Sequence, residues 1–130
     1  MLDLTTLRAA WTPRLLSVLR IIAALLLLQH GTAKMLGFPH VPSFDHLSPL
    51  IATAGAIELI GGLLLLVGLF SVPVAFILSG EMAFVYFIGH FPRGFYPLLN
   101  GGNLPILWCF VFLYLSAAGP GPWSIDAARK

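Results

Sequence analysis

Charge is what this chain has least of. Only 9% of its 130 residues are charged while 58% are hydrophobic, and its mean hydropathy is +0.94. Soluble domains carry roughly a quarter charged residues, so a soluble core is excluded. The net charge of +2 comes from scattered basic residues with no aromatic-basic patch, which excludes a nucleic-acid surface. Cysteine is nearly absent too. Cys109 stands alone, so neither an intramolecular disulfide nor a Cys-x-x-Cys relay is available unless a partner supplies a thiol. Cys109 itself reads as a buried apolar filler. Period-2 alternation is also missing, which excludes membrane β-strands.

What is there is apolar length. Segments of approximately Leu15 to Met35, Leu50 to Phe70, Val72 to Phe91 and Leu104 to Ala118 approach or reach the span of about 20 residues that crosses a bilayer. Lipid demands that each satisfy its own backbone hydrogen bonds, so all four are expected to be helices. The sequence predicts an all-α, integral membrane four-helix transmembrane bundle forming a single domain over residues 1–130. The short fourth span is extended by Asn103 and the Gly119–Pro122 stretch at the interfaces. Ser48-Pro49, Ser71 with Pro73, and Asn103 with Pro105 are placed to start helices two, three and four. The near absence of residues between Phe70 and Val72 forces an antiparallel hairpin. Trp11 and Trp123 mark one interface, and Phe91, Phe95, Tyr96 and Trp108 the other.

Basic residues set the orientation. Arg8, Arg14, Arg20, Arg129 and Lys130 share the face of the termini, against Lys34 and Arg93 opposite. The positive-inside rule puts both termini in the cytoplasm of an inner-membrane protein, with the 37–49 and 92–103 loops outside. Gly31-Thr32-Ala33 has the look of a signal-peptide cleavage site, but the apolar run before it is longer than a signal h-region.

Against this background, ionisable residues within the spans are the candidate site, because charge at bilayer depth is costly and ordinarily functional. At 1.5 Å per residue from the cytoplasmic end, Arg20 lies at roughly 8 Å, Glu81 at roughly 14 Å, Glu58 at roughly 18 Å and His30 at roughly 22 Å. Gly55, Glu58 and Gly62 share one face of helix two, and small residues there point the Glu58 carboxyl into the bundle. Lys34 follows His30 by one turn and shares its face. His90 is about half a rotation from Glu81. Structural pairing, of Arg20 with Glu81 and of His30 or Lys34 with Glu58, competes with a ligand or proton site open to the outside. Burial disfavours the Glu58 carboxylate, whereas a close Lys34 or protonated His30 favours it. No metal site is expected, since His40, Asp45 and His46 match no standard ligand spacing.

The order of these residues is similar to that of the DoxX family of small four-helix membrane proteins. Arg20, Gly31, Lys34, Phe44, Glu58 with Gly61-Gly62, and Gly68-Leu69 carry the resemblance. So do the loop Pro97-Leu-Leu-Asn100-Gly101-Gly102-Asn103 and the tail Gly119-Pro-Gly-Pro122-Trp123-Ser124-Ile125-Asp126. One departure stands out: family members often have an acid after the double glycine, where this chain has Asn103. The resemblance implies association with membrane oxidoreductase complexes, including a quinone-linked thiosulfate oxidase subunit and an assembly joining thiol and superoxide defence.

Two mechanisms follow. In the first, this chain is a subunit of a quinone-linked oxidoreductase, and a ring entering from the outer leaflet meets His30 and Glu58, with Glu81 as a further acid. Arg20, Lys34 and the Asn100, Gly101, Gly102 and Asn103 loop would line or cover that cavity, the loop offering unpaired N–H groups at a helix start. Electrons would come from a soluble oxidoreductase partner, because no redox-cofactor motif occurs. In the second, the chain is a non-catalytic scaffold or a binder of a lipid-like ligand. Haem ligation by His30 and His90 disagrees with the helix phases, and a transporter of four helices would need to form a homo-oligomer.

Overall fold

The computed structural model describes residues 3–130, and every regular element among them is helical. Helix α1 (Leu4–Leu36) has 33 residues, about 50 Å at 1.5 Å per residue. It begins at Leu4, not at Leu15. Asp3 caps it by accepting the Thr6 N–H at 2.7 Å. Pro13 lies inside it without ending it. All side chains from Asp3 to Leu15 are exposed, so the carbonyl that proline leaves without a donor is not shut inside the core.

Helix α2 (Pro49–Val67) starts as the sequence implies, with Ser48 Oγ accepting from the Ile51 N–H at 3.3 Å. It ends at Val67, three residues before Phe70, capped by Gly68 in a left-handed conformation at φ +70°, where a side chain would be strained. Helix α3 (Ser71–Gly89) follows after a turn of three residues, Gly68 to Phe70. Two short helices, α4 (Pro97–Asn100) and α6 (Ile125–Ala128), flank the apolar helix α5 (Asn103–Ala118).

Two expected caps are not those used. Ser71 is the first residue of α3 rather than its cap, and Phe70 at the cap position supplies no side-chain bond. The Asp126 carboxylate, from the far end of the chain, accepts the Phe70 and Ser71 N–H groups at 2.9 and 2.8 Å. At α5 the cap position belongs to Gly102, and Asn103 lies inside the helix.

Helices α1, α2 and α3 are long and apolar enough to cross a membrane, so this is a multi-pass membrane protein. Helix α5 is apolar but only 16 residues long, about 24 Å. Helix α1 packs along α2 and α3 along α5, with a smaller contact between α2 and α3. The four meet in one core around Leu27, Leu65, Leu78 and Phe112. Trp108, expected at an interface, belongs to this core: it is buried and stacks on Phe112. Large apolar side chains such as Phe76, Phe84 and Phe110 point outward, as a lipid-facing surface requires.

The tail closes one end, here the termini end. Arg20 donates to the carbonyls of Pro120 and Trp123, Ser17 Oγ accepts the Trp123 N–H, and the Asp126 N–H donates to the Gly68 carbonyl. The 37–48 and 90–102 loops form the opposite, loop end.

Candidate functional site

The site begins at the contact between α1 and α2. A Cβ on Gly31 would sit 2.6 Å from the Leu59 nitrogen. Only glycine allows the backbones this close, at the Glu58–Leu59 peptide itself. Glu58 is buried against that contact. Lys34, in the last turn of α1, reaches its carboxylate with Nζ 2.7 Å from one oxygen and 3.0 Å from the other. The side chains are 11% and 3% exposed, and such a pair persists inside a protein only when both charges are met. The Phe44 ring lies 5.5 Å from the same Nζ, a cation–π contact that covers the ammonium from the loop side. Lys34 also lines a cavity of about 420 Å³ at the loop end, together with Gly37, His40, Val41, Phe44 and Asp45. Across its mouth His40 Nε2 and Asp45 Oδ1 are 2.9 Å apart.

Glu81 on α3 is buried, and neither of its oxygens has a hydrogen-bond partner. Its neighbour is the Glu58 carboxyl group, close enough to share a hydrogen bond when one of the two acids carries a proton, with Lys34 next. Lys34, Glu58 and Glu81 therefore bring one ammonium and two carboxyl groups into a single cluster drawn from three helices. Glu81 also lines a groove of about 460 Å³ between α2 and α3, whose other walls include Leu50, Ile57, Ile77, Phe84 and Ile88. Four of those five are large apolar side chains more than half exposed, so the groove faces lipid. A second apolar groove of about 260 Å³ continues it past Ile57 and Ile77 towards Leu64 and Val74.

The remaining candidates lie apart from this cluster. His30 Nδ1 is 2.9 Å from the Leu26 carbonyl, and its ring meets Trp108 edge-on at 5.1 Å. It makes no hydrogen bond to Glu58, whose partner is Lys34 one turn further along. Arg20 is taken by the tail carbonyls and makes no ion pair with Glu81. The 100–103 loop is bonded within itself. The Asn100 amide donates to the Gly94 carbonyl at 2.9 Å and accepts the Gly102 N–H at 2.8 Å. The Asn100 carbonyl meets His90 Nδ1 at 3.0 Å. Gly101, Gly102 and Asn103 line neither the groove nor the loop-end cavity. The groove itself gave no sequence signal, because its walls are ordinary lipid-facing residues.

The DoxX family profile matches residues 15–91. The chain belongs to the DoxX family. A Haemophilus influenzae protein, described as an uncharacterized protein, is 41% identical over 122 residues, which covers 89% of this chain and 91% of that one. No solved structure matches. In this DoxX protein Lys34, Glu58 and Glu81 all fall inside the matched segment, whereas Asn100 to Asn103 lie beyond it.

Proposed function

We propose that this DoxX protein is the membrane subunit of a quinone-linked oxidoreductase complex and that it holds the quinone ring in the groove between α2 and α3. One observation carries the reading: a buried carboxyl group, beside which the other acid Glu58 is the one hydrogen-bonding neighbour, sits in the wall of an apolar, lipid-facing groove. An unpaired buried polar group is costly unless something completes its hydrogen bonds. A ring oxygen arriving from the lipid phase does so. The continuing groove past Ile57 and Ile77 suits an isoprenoid tail. When bound, the quinone supplies two-electron, two-proton chemistry; Glu81 orients the ring oxygen and exchanges a proton with it. His30, held on its own helix, takes no part in this geometry. Electrons come from a soluble oxidoreductase partner docked on the membrane subunit.

The test is a titration of the purified protein in lipid nanodiscs with a short-tailed quinone. Glu81→Leu keeps the groove apolar and removes the hydrogen bond, so affinity should fall roughly tenfold, equivalent to about 1.4 kcal/mol. Unchanged affinity would remove Glu81 from the site. Tight binding of lipids with no preference for quinones would favour the second reading, a non-catalytic lipid-like ligand binder or scaffold, which the same groove supports.

The reading places α5 across the membrane as a fourth span, with Gly119–Pro122 in the interface, and both termini in the cytoplasm of the inner membrane. Five basic residues at the termini end against two at the loop end support that orientation. In a Cys109-free background, a cysteine at Ser43 should be labelled from outside and one at Ala128 only from the cytoplasmic side. Labelling of the Ser43 position solely from the cytoplasm would reverse the topology.

A further inference from the structure

We propose that Glu58 and Lys34 form a proton path joining Glu81 in the lipid-facing groove to the water-accessible cavity at the loop end. This rests on the reading that Glu81 faces the bound ring. The groove and the cavity share no lining residue, yet the cluster connects them. Glu81 is on the groove wall, Glu58 is its electrostatic neighbour, and Lys34 is bonded to Glu58 while lining the cavity. A purely structural ion pair has no need of a second carboxyl group beside it, nor of a cavity at its ammonium end.

The steps balance. An O–H bond breaks at Glu81 as one forms at Glu58. The Lys34 ammonium gives one proton to water in the cavity, and Glu58 passes its proton to the Lys34 nitrogen. One proton has then moved from groove to cavity, and Glu58 and Lys34 are back in their starting forms. The reverse sequence delivers a proton to the groove. Among the described residues, the ionisable groups nearest the path are held elsewhere. His30 is held on the Leu26 carbonyl, His90 on the Asn100 carbonyl, Tyr86 on the Asn100 amide and Arg20 on the tail. Helix α5 carries no carboxyl or amine side chain. His40 and Asp45 stand at the mouth of the cavity, where they exchange protons with bulk water.

The experiment reads deuterium exchange at the Glu81 carboxyl group by infrared spectroscopy of the protein in nanodiscs, with Glu81→Gln identifying the band. Glu58→Gln should slow that exchange by on the order of 100-fold, the scale of losing a positioned acid–base group. Should Glu58→Gln fail to fold, a second arm leaves the cluster intact. Val41→Cys, in a Cys109→Ala background, is modified with a bulky maleimide to fill the cavity, and exchange should slow comparably. Unchanged exchange in the plugged protein, or in a folded Glu58→Gln variant, would overturn the path, as would the absence of any carboxylic-acid band from Glu81. Quinone affinity is measured on the same samples. Slowed exchange without quinone binding sustains the path and removes the ring; quinone binding with unchanged exchange does the opposite.

Discussion

Lys34→Met is expected to cost about 3–5 kcal/mol of stability, the scale of removing one partner from a buried ion pair. The loss comes from what stays behind. Glu58 has a side chain 3% exposed, and without the ammonium its carboxylate has neither water nor a counter-charge. Methionine keeps the length and apolar packing of the lysine stem, so the change isolates the charge. Lys34→Met with Glu58→Met should recover most of the loss, because an apolar pair of similar volume replaces a desolvated ionic one. Glu58→Met alone should cost less than Lys34→Met, since Lys34 borders the loop-end cavity and its ammonium can turn towards water. Thermal unfolding in one detergent checks all three. A single Lys34→Met variant as stable as the parent, or a double variant worse than either single, would show that the pair does not carry the contact between α1 and α2.

The helices were legible to the extent that lipid dictates them. Apolar length and the Ser48-Pro49 signal placed α2, and the forced hairpin placed α3, because both follow from the span of a bilayer and from local capping. The start of α1 was not legible in this way. Hydropathy reports where a helix enters lipid, whereas α1 runs on through the exposed Leu4–Arg14 stretch on the strength of the Asp3 cap. The burial of Glu58 could be read from the glycines flanking it on one helix face. Its partner could not. His30 and Lys34 share a face of α1, and which one meets the carboxyl depends on the axial offset set where Gly31 touches Leu59. That offset is a tertiary quantity. Pairing of Glu81 with Arg20 was one of two readings beside a ligand or proton site, but the guanidinium is drawn to carbonyls 100 and 103 residues away in the tail. Glu81 is met by a second acid instead of a base, which a reading that looks for opposite charges does not find.

Arg20→Met is the second large effect expected, about 2–6 kcal/mol, because it removes two part-buried hydrogen bonds from a charged group to the carbonyls of Pro120 and Trp123, at about 1–3 kcal/mol each. The damage should spread along the tail. Once residues 119–123 are released, Asp126 is no longer held over the start of α3, and the Phe70 and Ser71 N–H groups lose their acceptor. Acid should produce a milder form of the same release. Partial burial pushes the Asp126 carboxyl up, but the N–H groups of Ser71 and Phe70, with Arg129 nearby, outweigh it and hold it below the usual aspartate range. A carboxyl held low in the folded state adds stability above its unfolded value, and that stability is lost as pH falls through the folded one. The parent protein should therefore melt at progressively lower temperature once pH drops below the ordinary aspartate range. Asp126→Asn should melt lower at neutral pH and lack that part of the acid dependence. Limited proteolysis should cut the tail of Arg20→Met at neutral pH and of the parent only in acid. An acid profile that is the same with and without Asp126 would mean that the tail is held by Arg20 alone.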